Sequence, residues 1–145
     1  MKIFTIGFTK KPARTFFGLL RESGAERLID VRLNNVSQLA GFAKRDDLAY
    51  FLADLCKMGY HHDLLLAPTQ DLLDEYKKRG GSWDRYEQQF LALLAEREIE
   101  TAVSPTLISN SVLLCSEAEA HHCHRRLVAE YLASRWDDVA VEHLG

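Results

Sequence analysis

Residues 111–126 read SVLLCSEAEAHHCHRR. The first five, Ser111 to Cys115, form an apolar run too short for a helix and read as a buried strand. From His121 to Ser134 the spacing changes. Leu127, Val128, Tyr131 and Leu132 recur on one helical face. A buried strand followed by an amphipathic helix is the repeating element of a parallel α/β sheet.

The same alternation extends in both directions. KIFTIG (2–7) reads as a strand that ends at Gly7. Pro12 to Ser23 is a helix, with Pro at its start and Gly24 after it. ERLIDVR (26–32) is a second strand and YHHDLLL (60–66) a third. Between them, Arg45 to Met58 has helical spacing. Asp71 to Lys78 forms a short helix, and Ser82 caps a longer one carrying Trp83, Tyr86, Phe90 and Leu94. VAVEHL (139–144) is a last strand. The reading is one α/β domain over residues 1–145: three layers, with a mainly parallel sheet of about five strands flanked by helices. KIFTIG and LIDVR are expected to be neighbours.

Composition supports a folded chain: 47% of residues are hydrophobic and 27% charged, with 3 Pro and 8 Gly. No stretch reaches the ~20 apolar residues of a membrane span. MKIFTIGF lacks the features of a secretion signal, so the expected location is cytoplasmic. The formal net charge of −3 gives no general attraction to nucleic acid or anionic membrane. A nucleic-acid-associated role would need a local basic lip, for which the loop Leu33 to Lys44 with Arg45 is the candidate. The three cysteines, Cys56, Cys115 and Cys123, suggest no disulfide framework, and all are expected free.

Ligands of such sheets bind at the carboxyl ends of the strands. Asp30 and Arg32 stand there after the second strand, and Cys115 and Glu117 after the fourth. Cys123, His124 and Arg125 open the following helix. These residues resemble, together with TIGFT (5–9) and DVR (30–32), the prokaryotic family known as domain of unknown function 488. The motif that carries the resemblance is C-x-E-x5-C-H-R (115–125). The similarity runs from Ile3 to Leu144 and implies an α/β fold. It implies no activity. The family often has His after T-I-G, and this chain has Phe8, so any role of that side chain is either absent or moved to His61 or His62.

The leading reading is an enzyme that binds an anionic or nucleotide-type ligand. Arg32 and Arg125 would hold the anion beside Glu117, since a guanidinium forks onto phosphate or carboxylate. Cys115 or Cys123 would be the reactive thiol. Cys123 at a helix start beside Arg125 is the favoured thiolate. Asp30 with His124 would act as acid and base. Against this stand plain alternatives. Cysteines are often small buried hydrophobes, and Arg125 can simply pair with Glu117 or Asp30. Trp83, Tyr86 and Phe90 read as core, with base stacking as the weaker alternative. A second class of function is a metal-binding or redox-sensing module using Cys115, Cys123 and His124. The spacing is not that of a zinc finger, because seven residues separate the two cysteines. No cofactor is identifiable, and no phosphate-loop or dinucleotide motif occurs.

Overall fold

The structure, a computed structural model, describes residues 1–36, 41–117 and 120–145. Its five strands are β1 (Lys2–Gly7), β2 (Arg27–Asp30), β3 (Gly59–His62), β4 (Ser111–Cys115) and β5 (Ala140–His143). All pair in parallel, in the order β3-β2-β4-β1-β5. The expected adjacency of KIFTIG and LIDVR is therefore corrected: β4 lies between them. Every residue of β4 is buried, so the most apolar strand takes the centre of the sheet. Among the described residues no helix is long and apolar enough to cross a membrane.

Strand alternation sends successive side chains to opposite faces. Phe4, Ile6, Leu28, Val112 and Leu114 face one side. They pack on α1 (Ala13–Ser23) and α2 (Arg45–Phe51), through Phe16, Phe17, Leu20 and Leu48. Ile3, Ile29, Val31 and Leu113 face the other. There they meet α3 (Gln70–Lys77), α4 (Trp83–Glu96) and α7 (His124–Arg135). Two single turns, α5 (Ile99–Ala102) and α6 (Pro105–Ile108), lead into β4.

Helix ends follow the residues expected to make them. Gly24 closes α1 in the left-handed region at φ 72°, and the Ser82 side chain accepts from the Arg85 N–H at the start of α4. Two boundaries differ most from the sequence reading. The third strand stops at His62, where Asp63 turns the chain into a short 3-10 segment. The helix expected over 45–58 is regular only to Phe51 and then widens into a π turn over Leu52–Cys56.

Gly18 sits in the middle of α1, and a Cβ there would meet nothing within 4 Å. Gly18→Ala is expected to stabilise the fold by about 0.5–1 kcal/mol through helix propensity alone. A raised urea midpoint would show it, and an unchanged or lowered midpoint would contradict it.

Candidate functional site

Parallel register sets the strand tips level, with Gly7 opposite Cys115 and Asp30 opposite Leu114. Beyond the tips lies a cavity of about 290 Å³. Arg32, Cys115, Glu117, Cys123 and His124 line it. Asp30 and Arg125 do not; they sit one layer behind, each holding a lining residue.

Asp30 is fully buried and grips Arg32. Its Oδ1 accepts from Arg32 Nε at 2.8 Å and its Oδ2 from Nη2 at 2.7 Å. The Tyr60 hydroxyl donates to Oδ2 at 2.6 Å, and Asn35 donates to that hydroxyl. Burial, then the neighbouring Asp30, holds the Tyr60 hydroxyl protonated. Both Asp30 oxygens are thus committed, and neither reaches His124. The remaining Arg32 nitrogen, Nη1, is buried without a hydrogen-bond partner among the described residues.

The Arg125 side chain leaves α7 and crosses under the tip of β4. Nε donates to Thr5 Oγ1 at 3.3 Å, while Nη1 donates to the Glu117 carbonyl at 2.6 Å and toward Cys115 Sγ at 3.5 Å. Burial lowers this guanidinium to about 10, partly offset by the charge of Glu117, so it remains charged at neutral pH. No carboxylate touches it among the described residues, because the Glu117 side chain turns outward to Lys77 at 2.6 Å. Two expectations are corrected here. Arg125 serves Cys115 rather than Cys123, since a long side chain reaches back past its own helix start. It also lies behind the cavity wall, so Arg32 alone of the two arginines lines the cavity.

Cys123 is the N-cap residue of α7, with an extended backbone (φ −139°, ψ 138°) and no side-chain cap bond. Its sulfur is joined to Cys115 in a disulfide. The expectation of three unpaired cysteines is corrected on that point. A strand tip and a helix start eight positions apart in sequence converge in space, and their Cα atoms lie 7.4 Å apart. Cys56 stays free, its thiol pushed up by burial and directed at the Phe17 carbonyl.

His124 is half-buried against Phe90 and places Nε2 2.7 Å from the Val31 carbonyl. A carbonyl only accepts, so Nε2 carries the proton and Nδ1 is left as the ring's acceptor. Burial lowers this imidazole to about 4 despite that bond, with Arg125 adding in the same direction. His124 is therefore neutral at physiological pH. Ligand atoms of Cys115, Cys123 and His124 all lie within 4.8 Å of one another.

The opposite wall is aromatic, and the sequence reading placed two of its members, Trp83 and Tyr86, in the core. Tyr86, Trp83 and His122 stack in series at 5.2 and 5.0 Å, with Tyr76 edge-on to Trp83 at 5.5 Å. All four line the cavity, as does Lys77. Helical spacing places Trp83 and Tyr86 on the inner face of α4 but does not reveal that the first turn of that face overhangs the sheet edge. Phe8 is buried, with the Arg32 guanidinium over its ring at 5.4 Å. His62 hydrogen-bonds the Arg32 carbonyl and does not line the cavity, and His143 reaches Thr5 Oγ1. The candidate basic lip of the loop Leu33 to Lys44 falls partly on residues 37–40, which lie outside the described residues, and Arg45 pairs with Asp46.

A family model described as "Domain of unknown function DUF488" matches residues 12–132. IDVR and the C-x-E-x5-C-H-R segment fall inside that span, whereas TIGFT precedes it. No curated protein and no solved structure matches the chain.

Proposed function

Given that the chain belongs to the family described as domain of unknown function DUF488, we propose that it is an enzyme that binds a small anionic ligand with a planar part, of nucleotide type, at the carboxyl edge of its sheet. The observation that carries this reading is Arg32, which lines the cavity and whose buried Nη1 has no hydrogen-bond partner among the described residues. A buried donor without a partner costs about 1–3 kcal/mol, and a phosphate or carboxylate oxygen would satisfy it. Asp30 fixes the guanidinium from behind, so the donor is pre-organised. The aromatic wall of Tyr76, Trp83 and Tyr86 suits the planar part. Cys115, Cys123 and His124 at the floor carry the chemistry. Reduced, Cys115 as a thiolate is the anion that neutralises Arg125, which among the described residues has no carboxylate in contact.

The test uses Trp83 fluorescence. Adenosine monophosphate is expected to quench it saturably, adenosine to bind at least tenfold more weakly, and inorganic phosphate to leave it unquenched. Arg32→Lys keeps a cation beside Asp30 but loses the fork. It should weaken the nucleotide about tenfold, the effect of ~1.4 kcal/mol, and leave adenosine unchanged. Trp83→Phe identifies the signal against Trp136. Equal affinity for adenosine and its monophosphate, or an unaffected Arg32→Lys variant, overturns the reading.

A further inference from the structure

We propose that the reduced protein binds one zinc ion through Cys115 Sγ, Cys123 Sγ and His124 Nδ1, with a fourth coordination position open to the cavity. The inference rests on the proposed function in one respect only: the same cavity supplies the open position.

Three ligand atoms of the right kinds already lie within 4.8 Å of one another. A tetrahedral zinc site with Zn–S near 2.3 Å and Zn–N near 2.0–2.1 Å puts ligand atoms about 3.5–3.8 Å apart, so small side-chain rotations suffice once the sulfurs separate. The backbone spacing favours that separation. Cα atoms of a disulfide usually lie about 4.4–6.8 Å apart, and these lie 7.4 Å apart. A common ion holds two thiolates about 3.8 Å apart, against about 2.05 Å for bonded sulfurs, so a wider backbone spacing suits it.

Outer contacts are of the kind that orient metal ligands. The Val31 carbonyl takes the Nε2 proton of His124, which fixes the tautomer and turns Nδ1 into the donor atom. The Arg125 guanidinium points an N–H at Cys115 Sγ, as hydrogen-bond donors do around ligating thiolates. Two sulfurs and an imidazole select zinc over the harder oxygen-seeking cations.

The count of ligands gives the site its character. Structural zinc is closed by four protein ligands, whereas a catalytic site keeps one position for water or substrate. Among the described residues the group has three members, and all three line the cavity. The Glu117 carboxylate is turned outward to Lys77. The open position therefore faces the space beside Arg32.

The chemistry balances in two steps. A dithiol reductant gives two electrons and two protons to the Cys115–Cys123 disulfide and leaves as its own disulfide. Zinc then binds the two thiols and neutral His124 with release of two protons.

Cobalt(II) is the probe. The full chain, reduced with a phosphine and desalted under nitrogen, is expected to take up one equivalent with intense visible bands of tetrahedral geometry and an ultraviolet thiolate-to-cobalt band. One equivalent of zinc should bleach them. The untreated disulfide form of the same protein should give neither band, a comparison that needs no variant. Cys115→Ser, Cys123→Ser and His124→Ala should each weaken uptake at least tenfold, with circular dichroism confirming the fold. Thiocyanate, which needs the open position, should shift the visible bands. Absent thiolate bands in reduced protein, bands unchanged in both serine variants, or bands insensitive to thiocyanate overturn the proposal. Cobalt bands without nucleotide quenching overturn only the proposed ligand; quenching without cobalt bands overturns only the metal site.

Discussion

Asp30→Ala is expected to cost about 3–5 kcal/mol of folding stability, the range for removing one partner of a buried ion pair. The carboxylate is fully buried and Arg32 is 4% exposed. In the wild type, Arg32 Nη1 is already without a hydrogen-bond partner among the described residues. Deleting the carboxylate strands Nε and Nη2 as well, and the Tyr60 hydroxyl loses its acceptor. A charged group then remains in the interior with almost nothing to compensate it. Urea unfolding checks the value. The companion experiment replaces both partners, Asp30→Leu with Arg32→Met. Removing an entire buried pair is often close to neutral, so the double variant should recover most of the loss while failing to bind nucleotide. A single-variant cost below about 1 kcal/mol would mean that water reaches the pair and that Arg32 is not pre-organised.

That expectation also revises the role read for Asp30 from the sequence. A carboxylate at the end of a strand, two residues from an arginine, fits acid–base work and ion pairing equally well. Which applies depends on where the second oxygen goes, and the answer lies in Tyr60 on another strand. The same limit explains the rest of what was and was not legible. Strand and helix identities are local properties, written in the spacing of Ile3 to Gly7 or Leu127 to Leu132, and they were readable. Pairing order is not local. Nothing in KIFTIG or LIDVR says that SVLLC will lie between them, although its unbroken apolar character fits a central place. Cys115, Glu117, Cys123 and His124 could be gathered to one edge because parallel topology alone sends strand ends there. The reach of Arg125 could not be read, because its side chain can go forward toward Cys123 or back toward Cys115 with the same backbone. The aromatic wall was hidden for a similar reason: Trp83 and Tyr86 have the spacing of core residues, and only the docking of α4 over the sheet edge exposes them to the cavity.

Gly7→Ala should be the most damaging single-methyl change in the chain, with a loss near 3 kcal/mol, at the upper end of the ~1–3 kcal/mol typical of overpacking. Gly7 ends β1 opposite Cys115. A Cβ there would run into the Glu117 carbonyl oxygen and lie 2.7 Å from Arg125 Nη1. Neither neighbour can yield cheaply. The Glu117 carbonyl is itself the acceptor of that Nη1 at 2.6 Å, and the adjoining backbone is tied to the turn after β1 by the Thr9 N–H on the Ser116 carbonyl at 3.0 Å. The glycine is thus required by the close approach of backbone and guanidinium, which makes T-I-G part of the site although no side chain of Gly7 exists to act. Thermal unfolding should show a fall of roughly 10 °C for a domain of this size, against the small rise expected for Gly18→Ala. The position of the damage is testable too. Adding Arg125→Met to Gly7→Ala removes one of the two collisions, so the double variant should lose less than the sum of the single losses, by at least about 0.5 kcal/mol of coupling. Strictly additive losses, or a Gly7→Ala protein that melts within 2 °C of wild type by this estimate, would show that Arg125 does not lie across Gly7 and that the floor of the cavity is built differently.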